Sequence, residues 1–334
     1  MESVAPRREA RGIRFRSLGQ SVTLIVGKYG ALIVLGLLFV WFSIMAKYFL
    51  TWDNFVQIFN QAALSAIISC GLTLVLASGQ FDLSVGYTAS LAGIVASAMM
   101  LGGQPIPLAV GAALFVGVVV GAVNAFLVTR VGVNALVATL GVGSAAVGVN
   151  YFISGGGAQP FAVAAPAFTL VSIGDWLGIP KDVYYMVIVA VVLWVVLNRT
   201  VLGRDIQAVG GNAEAARLAG VGVRTVTSAA FVICGLAAAL TGILLASVVG
   251  SGQPTGGDGY TLSAFAAAFL GTAVLREGQF HIIGTVVGVV TVAVGFNGLA
   301  LIGVPSYVQF FFQGIVLIIA VSFSTLARQL SKAR

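Results

Sequence analysis

The chain predicts an all-α polytopic membrane protein of about ten transmembrane helices, and three observations carry that expectation. Of its 334 residues, 59% are hydrophobic and only 8% charged, with a mean hydropathy of +1.06; a soluble domain of this length could not cover its surface with so little charge. Apolar runs of the roughly 20 residues that cross a hydrocarbon core recur from end to end. Glycine is abundant, at 43 residues, as expected where helix backbones approach closely in lipid.

Hydropathy places ten spans at about residues 30–50, 56–78, 84–101, 106–128, 134–154, 183–198, 226–250, 259–275, 281–301 and 305–325. Residues 29–326 then form a single transmembrane domain. Residues 1–28 read as a basic tail, with Arg7, Arg8, Arg11, Arg14, Arg16 and Lys28, and they lack the early apolar run and cleavage site of a signal peptide. Residues 327–334 read as a second short tail. With an even number of spans and both termini cytoplasmic, all but Lys47 and Lys181 of the 17 Lys and Arg fall on the cytoplasmic side. The net charge of +7 is therefore a topology signal, and no nucleic-acid partner is expected.

The second and third spans are interrupted by Gly79-Gln80-Phe81-Asp82-Leu83-Ser84-Val85-Gly86. A carboxylate at this depth is costly unless paired, capped or wet. Either Asp82 or Ser84 caps the third span, or Gly79, Asp82, Ser84 and Gly86 form a corner that moves with an inner gate. The outer connection, residues 155–182, is too long for a tight turn and too apolar for a disordered linker, so it should lie on or dip into the outer mouth. Asp175, Lys181 and Asp182 there, with Asp258, are candidates for docking an external partner, or simply solvated loop residues.

The long polar segment 199–225 lies on the cytoplasmic side. Within it Asn212 fits an N-cap, Glu214 sits at the positive end of a helix dipole, Arg217 sits near the negative end, and Gly220 fits the left-handed position that follows. The remaining surface of this two-turn helix, Ala213, Ala215, Ala216, Leu218 and Ala219, is too weakly apolar to hold a membrane interface. It suits a groove on another protein, with a plain loop helix as the alternative.

Gly252-Gln253 followed by Gly259-Tyr260-Thr261 repeats the spacing of Gly79-Gln80 and Gly86-Tyr87-Thr88. Each copy follows the second span of a five-span half. Since five is odd, the halves would have opposite orientation, a five-plus-five inverted repeat of the kind found in transporters. Candidate path residues are the neutral Asn124, Asn134, Thr139, Ser144 and Asn150, with Asn297, Gln309 and Gln313 from the last spans. They suit an uncharged hydroxylated solute, or else bond helix to helix.

The remaining chemistry-bearing residues are sparse. Cys70 and Cys234 read as small core residues, and His281 as a helix-end residue without a metal partner. Gly27-Lys28 lacks the spacing of a phosphate-cradling P-loop, and no nucleophile, base and orienting group converge. No catalytic, metal or cofactor site is expected in this chain.

Residues 79–86 resemble the Gly-Gly-Ile-Asp-Leu-Ser-Val-Gly signature of the sugar permeases of bacterial ATP-binding cassette importers, the ribose, xylose and arabinose type. Residues 210–220 are similar to that family's cytoplasmic coupling segment, and Ala138-Thr139-Leu140-Gly141 and Asn297-Gly298-Leu299 through Gly303 also match. The resemblance implies a dimeric, inner-membrane permease that binds two cytoplasmic ATPase subunits, with ATP and Mg held there, and receives solute from a periplasmic binding protein. It places Gly210, Gly211, Asn212, Glu214, Ala215, Ala216, Arg217, Leu218 and Gly220 at the ATPase contact. Gln80 and Phe81 depart from the signature, Thr261 stands where a Glu commonly follows Tyr, and Arg276-Glu277-Gly278-Gln279 replaces a glycine-rich turn. The expected function is import of a monosaccharide or related polyol. The alternatives are a branched-chain amino acid permease of the same superfamily, or an ion-coupled sugar transporter that would need Asp82 as its carboxylate.

Overall fold

Apolar runs free of interior proline and closed by glycine or small polar residues become helices. The computed structural model describes residues 18–274 and 278–332. The long helices among them are α1 (Leu18–Met45), α2 (Trp52–Ala77), α3 (Val85–Leu101), α4 (Ile106–Phe126, continued by a π-helical turn over Leu127–Val131) and α5 (Ala135–Ser154). After the short α6 (Pro166–Thr169) come α7 (Lys181–Arg199), α8 (Val201–Gly211) and α9 (Ala213–Leu218), then α10 (Val223–Val249), α11 (Asp258–Gly271), α12 (Ile282–Leu301) and α13 (Tyr307–Lys332).

These helices occupy all ten predicted spans. Six are individually long and apolar enough to cross a bilayer: α2, α4 with its π turn, α5, α7, α10 and α12. Both ends differ from expectation, since α1 begins at Leu18 within the segment read as a tail, and α13 continues to Lys332. The arginines of residues 1–17, Arg276, Glu277 and Arg334 lie outside the described residues.

The core sits around α2, α12 and α10, whose apolar windows are 78%, 67% and 61% buried against 22% for α7. Helices α2 and α10 meet where Gly71 leaves no room for a Cβ beside Cys234 and Ala237. Both cysteines are free and buried. The α2–α12 contact is pinned by Thr73 Oγ1 and Thr285 Oγ1, 2.7 Å apart. Such side-chain bonds join helices that gain nothing from apolar contact over lipid.

The packing has the symmetry of the sequence repeat. Helix α2 packs on α11 and α12 while α10 packs on α3 and α4, and α3 packs on α5 as α11 does on α13. The separation that pairs Gly79 with Gly252 and Tyr87 with Tyr260 also pairs Ser90 with Ser263 and Asn124 with Asn297. Helices α3 and α11, at 17 and 14 residues, reach only about 25 and 21 Å at 1.5 Å per residue, short of a core about 30 Å thick. Each is preceded by a non-helical segment, residues 78–84 and 250–257, in which Asp82, Ser84, Ser251 and Gly252 are buried in the bundle.

The outer connection dips inward, as expected. Phe161 and Phe168 are fully buried with ring centroids 5.3 Å apart, Ser247 Oγ of α10 donates to the Phe168 carbonyl, and strand β1 (Gln159–Pro160) pairs antiparallel with β4 (Ser251–Gly252). Strands β2 (Asp175–Trp176) and β3 (Ile179–Pro180) form a hairpin whose turn, Leu177 and Gly178, has positive φ at both positions, the geometry that matches strand twist.

Candidate functional site

The two motifs singled out at the basic end of the bundle touch each other. Helix α8 folds back on α7 because Gly203 lets its backbone lie against the Val196 and Leu197 carbonyls, while Thr200 Oγ1 caps Gly203 N and Gln207 Nε2 donates to the Leu197 carbonyl at 2.8 Å. At the far end of α8, a Cβ on Gly210 would overlap the Ala77 carbonyl and crowd Gly79 N. Gly79, at φ +80°, is the left-handed residue that closes α2: its N–H donates to the Leu76 carbonyl and that of Gln80 to the Val75 carbonyl, a Schellman ending. Two glycine backbones therefore lie against each other where the α8–α9 segment, the handle of the bundle, meets the corner at residues 79–86.

Beyond this contact α9 projects from the bundle. Asn212 Oδ1 accepts from Ala215 N at 3.0 Å, and Glu214 and Arg217 pair at 2.6 Å with both side chains exposed. Gly220, at φ +88°, ends the helix. Leu218 is 80% exposed and Ala216 is buried. Ala216 therefore faces its own chain and seats the helix, rather than lying on the outward surface with Gly211, Ala215 and Leu218.

The corner after Gly79 carries a buried carboxylate. Asp82 Oδ1 accepts from Ser84 N at 2.9 Å and Ser84 Oγ at 2.6 Å, and Asn124 Nδ2 of α4 lies 2.8 Å from Ser84 Oγ and 3.4 Å from Asp82 Oδ1. Leu83 N donates to Thr139 Oγ1 of α5 at 3.0 Å. Ser84 occupies the N-cap of α3 without a side-chain cap bond, so the capping expectation gives way to a local Asp-Ser turn tied to α4 and α5. Thr139→Val is expected to leave the Leu83 N–H unpartnered and to cost about 1–2 kcal/mol, read as a lower thermal midpoint in detergent.

From the same corner the first turns of α3 clasp the second repeat. Gly86 N donates to Thr261 Oγ1 at 3.1 Å, Ser90 Oγ to Asp258 Oδ1 at 3.1 Å, and Gly257 N to Ser90 Oγ at 2.8 Å. A Cβ at Gly86 would overlap Thr261 Oγ1. Asn150 Nδ2 reaches the Pro254 carbonyl at 2.6 Å. Ser90 and Asn150 are joining residues that sequence reasoning missed or assigned to a path; the repeat spacing around Ser90 and Ser263 is the signal that could have found the first.

The other sequence-predicted residues scatter. Asn124, Thr139 and Asn150 are fully buried, and the bonds described above tie each of them to the non-helical segments before α3 and α11. Asn134 is exposed and caps α5 through Leu136 N, Ser144 is exposed on α5, and Asn297 is buried with no bond to its Oδ1. Gln313 donates to Ser263 Oγ at 2.6 Å and Gln309 to the Phe296 carbonyl. His281 caps α12 through Gly284 N. A cavity of about 40 Å³ beside Gln61, Ser65 and Ser263 has room for water but not for a monosaccharide.

The outer docking candidates are engaged within the fold. Asp182 is buried, a correction to its reading as an outward-facing residue that follows from its place under the loop at the first turn of α7. Lys181 Nζ donates to the Leu170 and Ile173 carbonyls, Asp175 accepts from Gly178 N at 3.1 Å, and Asp258 holds Ser90.

Comparison with known proteins identifies the family. A family model described as "Branched-chain amino acid transport system / permease component" matches residues 54–321. The chain belongs to this permease family. It is 37% identical to the ribose import permease protein RbsC of Escherichia coli K12 over 87% of this chain and 91% of that one. It is 34% identical to the L-arabinose transport system permease protein AraH of the same strain, over 89% and 90%, and 32% identical to the probable ABC transporter permease protein YphD over 94% of each. No solved structure matches. The permease is thus a multi-pass membrane protein whose similarity covers both repeats, the corner and the handle.

Proposed function

We propose that the permease is the membrane-spanning subunit of an ATP-driven importer of a monosaccharide or related polyol in a bacterial inner membrane, with both termini cytoplasmic. The observation that carries the mechanism is the backbone contact of Gly210 with Ala77 and Gly79. A separate ATPase subunit, holding ATP and Mg, grips the exposed face of α9; its closure moves α8, and the Gly210 contact delivers that movement to the Asp82 corner. From there the Leu83–Thr139 and Gly86–Thr261 bonds spread it to α5 and α11. A second permease subunit and a solute-binding protein complete the importer. The sugar relatives favour this reading over amino acid import, despite the description of the family model.

Uptake of radiolabelled ribose, arabinose and xylose by cells producing the permease tests the proposal. Uptake that stops on ATP depletion but survives a protonophore is expected; the reverse pattern supports an ion-coupled carrier and overturns it. Glu214→Lys removes the Arg217 pair and places a cation in the first turn of α9, where the helix dipole disfavours it. The exposed position leaves folding intact, and ATP-driven uptake is expected to fall about ten-fold, the scale of 1.4 kcal/mol, with the amount of protein in the membrane unchanged.

A further inference from the structure

Between α7 and α12, toward the basic end of the bundle, lies an open groove of about 340 Å³. It is lined by Ala190, Val191 and Trp194 of α7 and by Ile283, Val286 and Val287 of α12, without a charged side chain among them. Five residues beyond Trp194, Arg199 lies at the last turn of α7, and its guanidinium stands 5.4 Å over the Trp194 ring. Cation–π stacking holds the cation on the ring of Trp194, a residue of the groove wall, and Trp is the side chain that settles at the lipid headgroup level. Arg199 is exposed, and among the described residues the one ion pair is Arg217–Glu214.

We propose that this groove is a binding site for an anionic phospholipid, with an acyl chain lying along Val191, Ile283 and Val287 and the phosphodiester on Arg199. Charge decides the class of lipid. A second groove of about 260 Å³ lies at the other end of the bundle, between α2 and α7, lined by Trp52, Phe55, Phe59 and Val183. There the neighbouring cation, Lys181, is held by the Leu170 and Ile173 carbonyls. With Lys181 held by backbone carbonyls, the apolar walls of that groove suit acyl chains without the same preference for an anionic headgroup. At Arg199 the apolar slot and an exposed guanidinium occur together, and basic pockets between transmembrane helices are where anionic headgroups bind.

The site abuts the machinery, since Thr200 caps α8 one residue after Arg199. Lipid bound there would brace the root of the handle, but its binding is a separate property from solute import, and the test reads binding alone.

The experiment uses the full-length permease in phosphatidylcholine nanodiscs containing spin-labelled phosphatidylglycerol or spin-labelled phosphatidylcholine as tracer, with the immobilised fraction read by electron paramagnetic resonance. The wild type is expected to immobilise phosphatidylglycerol preferentially. Arg199→Gln, an exposed substitution, should reduce that preference about five-fold, the scale of one arginine facing anionic lipid. Ile283→Trp should fill the groove and lower the immobilised phosphatidylglycerol even with Arg199 intact, which separates a lipid seated in the groove from phosphate attracted to a surface charge. Equal immobilisation of the two lipids by the wild type overturns the proposal. So does a preference unchanged in Arg199→Gln, or one that survives Ile283→Trp in protein that remains monodisperse.

Discussion

Gly210→Ala is expected to lower ATP-driven uptake at least about ten-fold, while Gly211→Ala one residue later leaves it unchanged. A Cβ at Gly210 falls on the Ala77 carbonyl, a backbone atom that cannot rotate away, whereas a Cβ at Gly211 meets nothing within 4 Å. Forcing a methyl group into a filled contact costs about 1–3 kcal/mol, which the structure can avoid only by lifting the end of α8 off the α2 corner. Lifting it breaks the backbone contact through which, on the proposed mechanism, movement of α8 reaches residues 79–86. The two substitutions add the same atoms to adjacent glycines, so helix propensity cannot explain a difference. Uptake assays on the pair, normalised to the amount in the membrane, check it. Equal activity would mean that force takes another route, with the α9 contact to α10 the next candidate.

Asp82→Ala is expected to destabilise the bundle by about 2–4 kcal/mol, because the Ser84 N–H, the Ser84 hydroxyl and the Asn124 amide lose a buried acceptor together. The measurement is the thermal unfolding midpoint in detergent, together with the yield of monodisperse protein. Asp82→Asn keeps an oxygen that can accept from Ser84, and should retain most of both stability and uptake. This substitution also separates the two transport mechanisms. An ion-coupled carrier that used Asp82 as its titrating carboxylate would lose uptake in Asp82→Asn, whereas a structural corner in an ATP-driven permease would not.

The local elements were legible in the residues themselves. Apolar runs and their breaks located the ten spans, and the Asn212, Glu214 and Gly220 pattern specified α9 with its cap and left-handed end, because capping needs only atoms within a few residues. The repeat of Gly-Gln and Gly-Tyr-Thr indicated two inverted halves, and the packing of α2 and α10 on each other's partner helices has that symmetry. Less legible was what each polar side chain faces. Asn124, Thr139 and Asn150 look alike in sequence whether they line a path or bond helix to helix, and that choice depends on helix rotation, which packing sets.

What the sequence by itself determined is the class of protein, its spans and its capped handle, since these follow from hydropathy, charge and short-range hydrogen bonding. Only the tertiary structure decided that Gly210 rests on Ala77 and Gly79, that Asp82 is held by Ser84 and Asn124, and that Ala216 faces inward. The physical reason is that the Gly210 and Asn124 contacts join segments far apart in the chain and the facing of Ala216 depends on how α9 packs, so a missing Cβ or one buried acceptor matters only once the partner is in place.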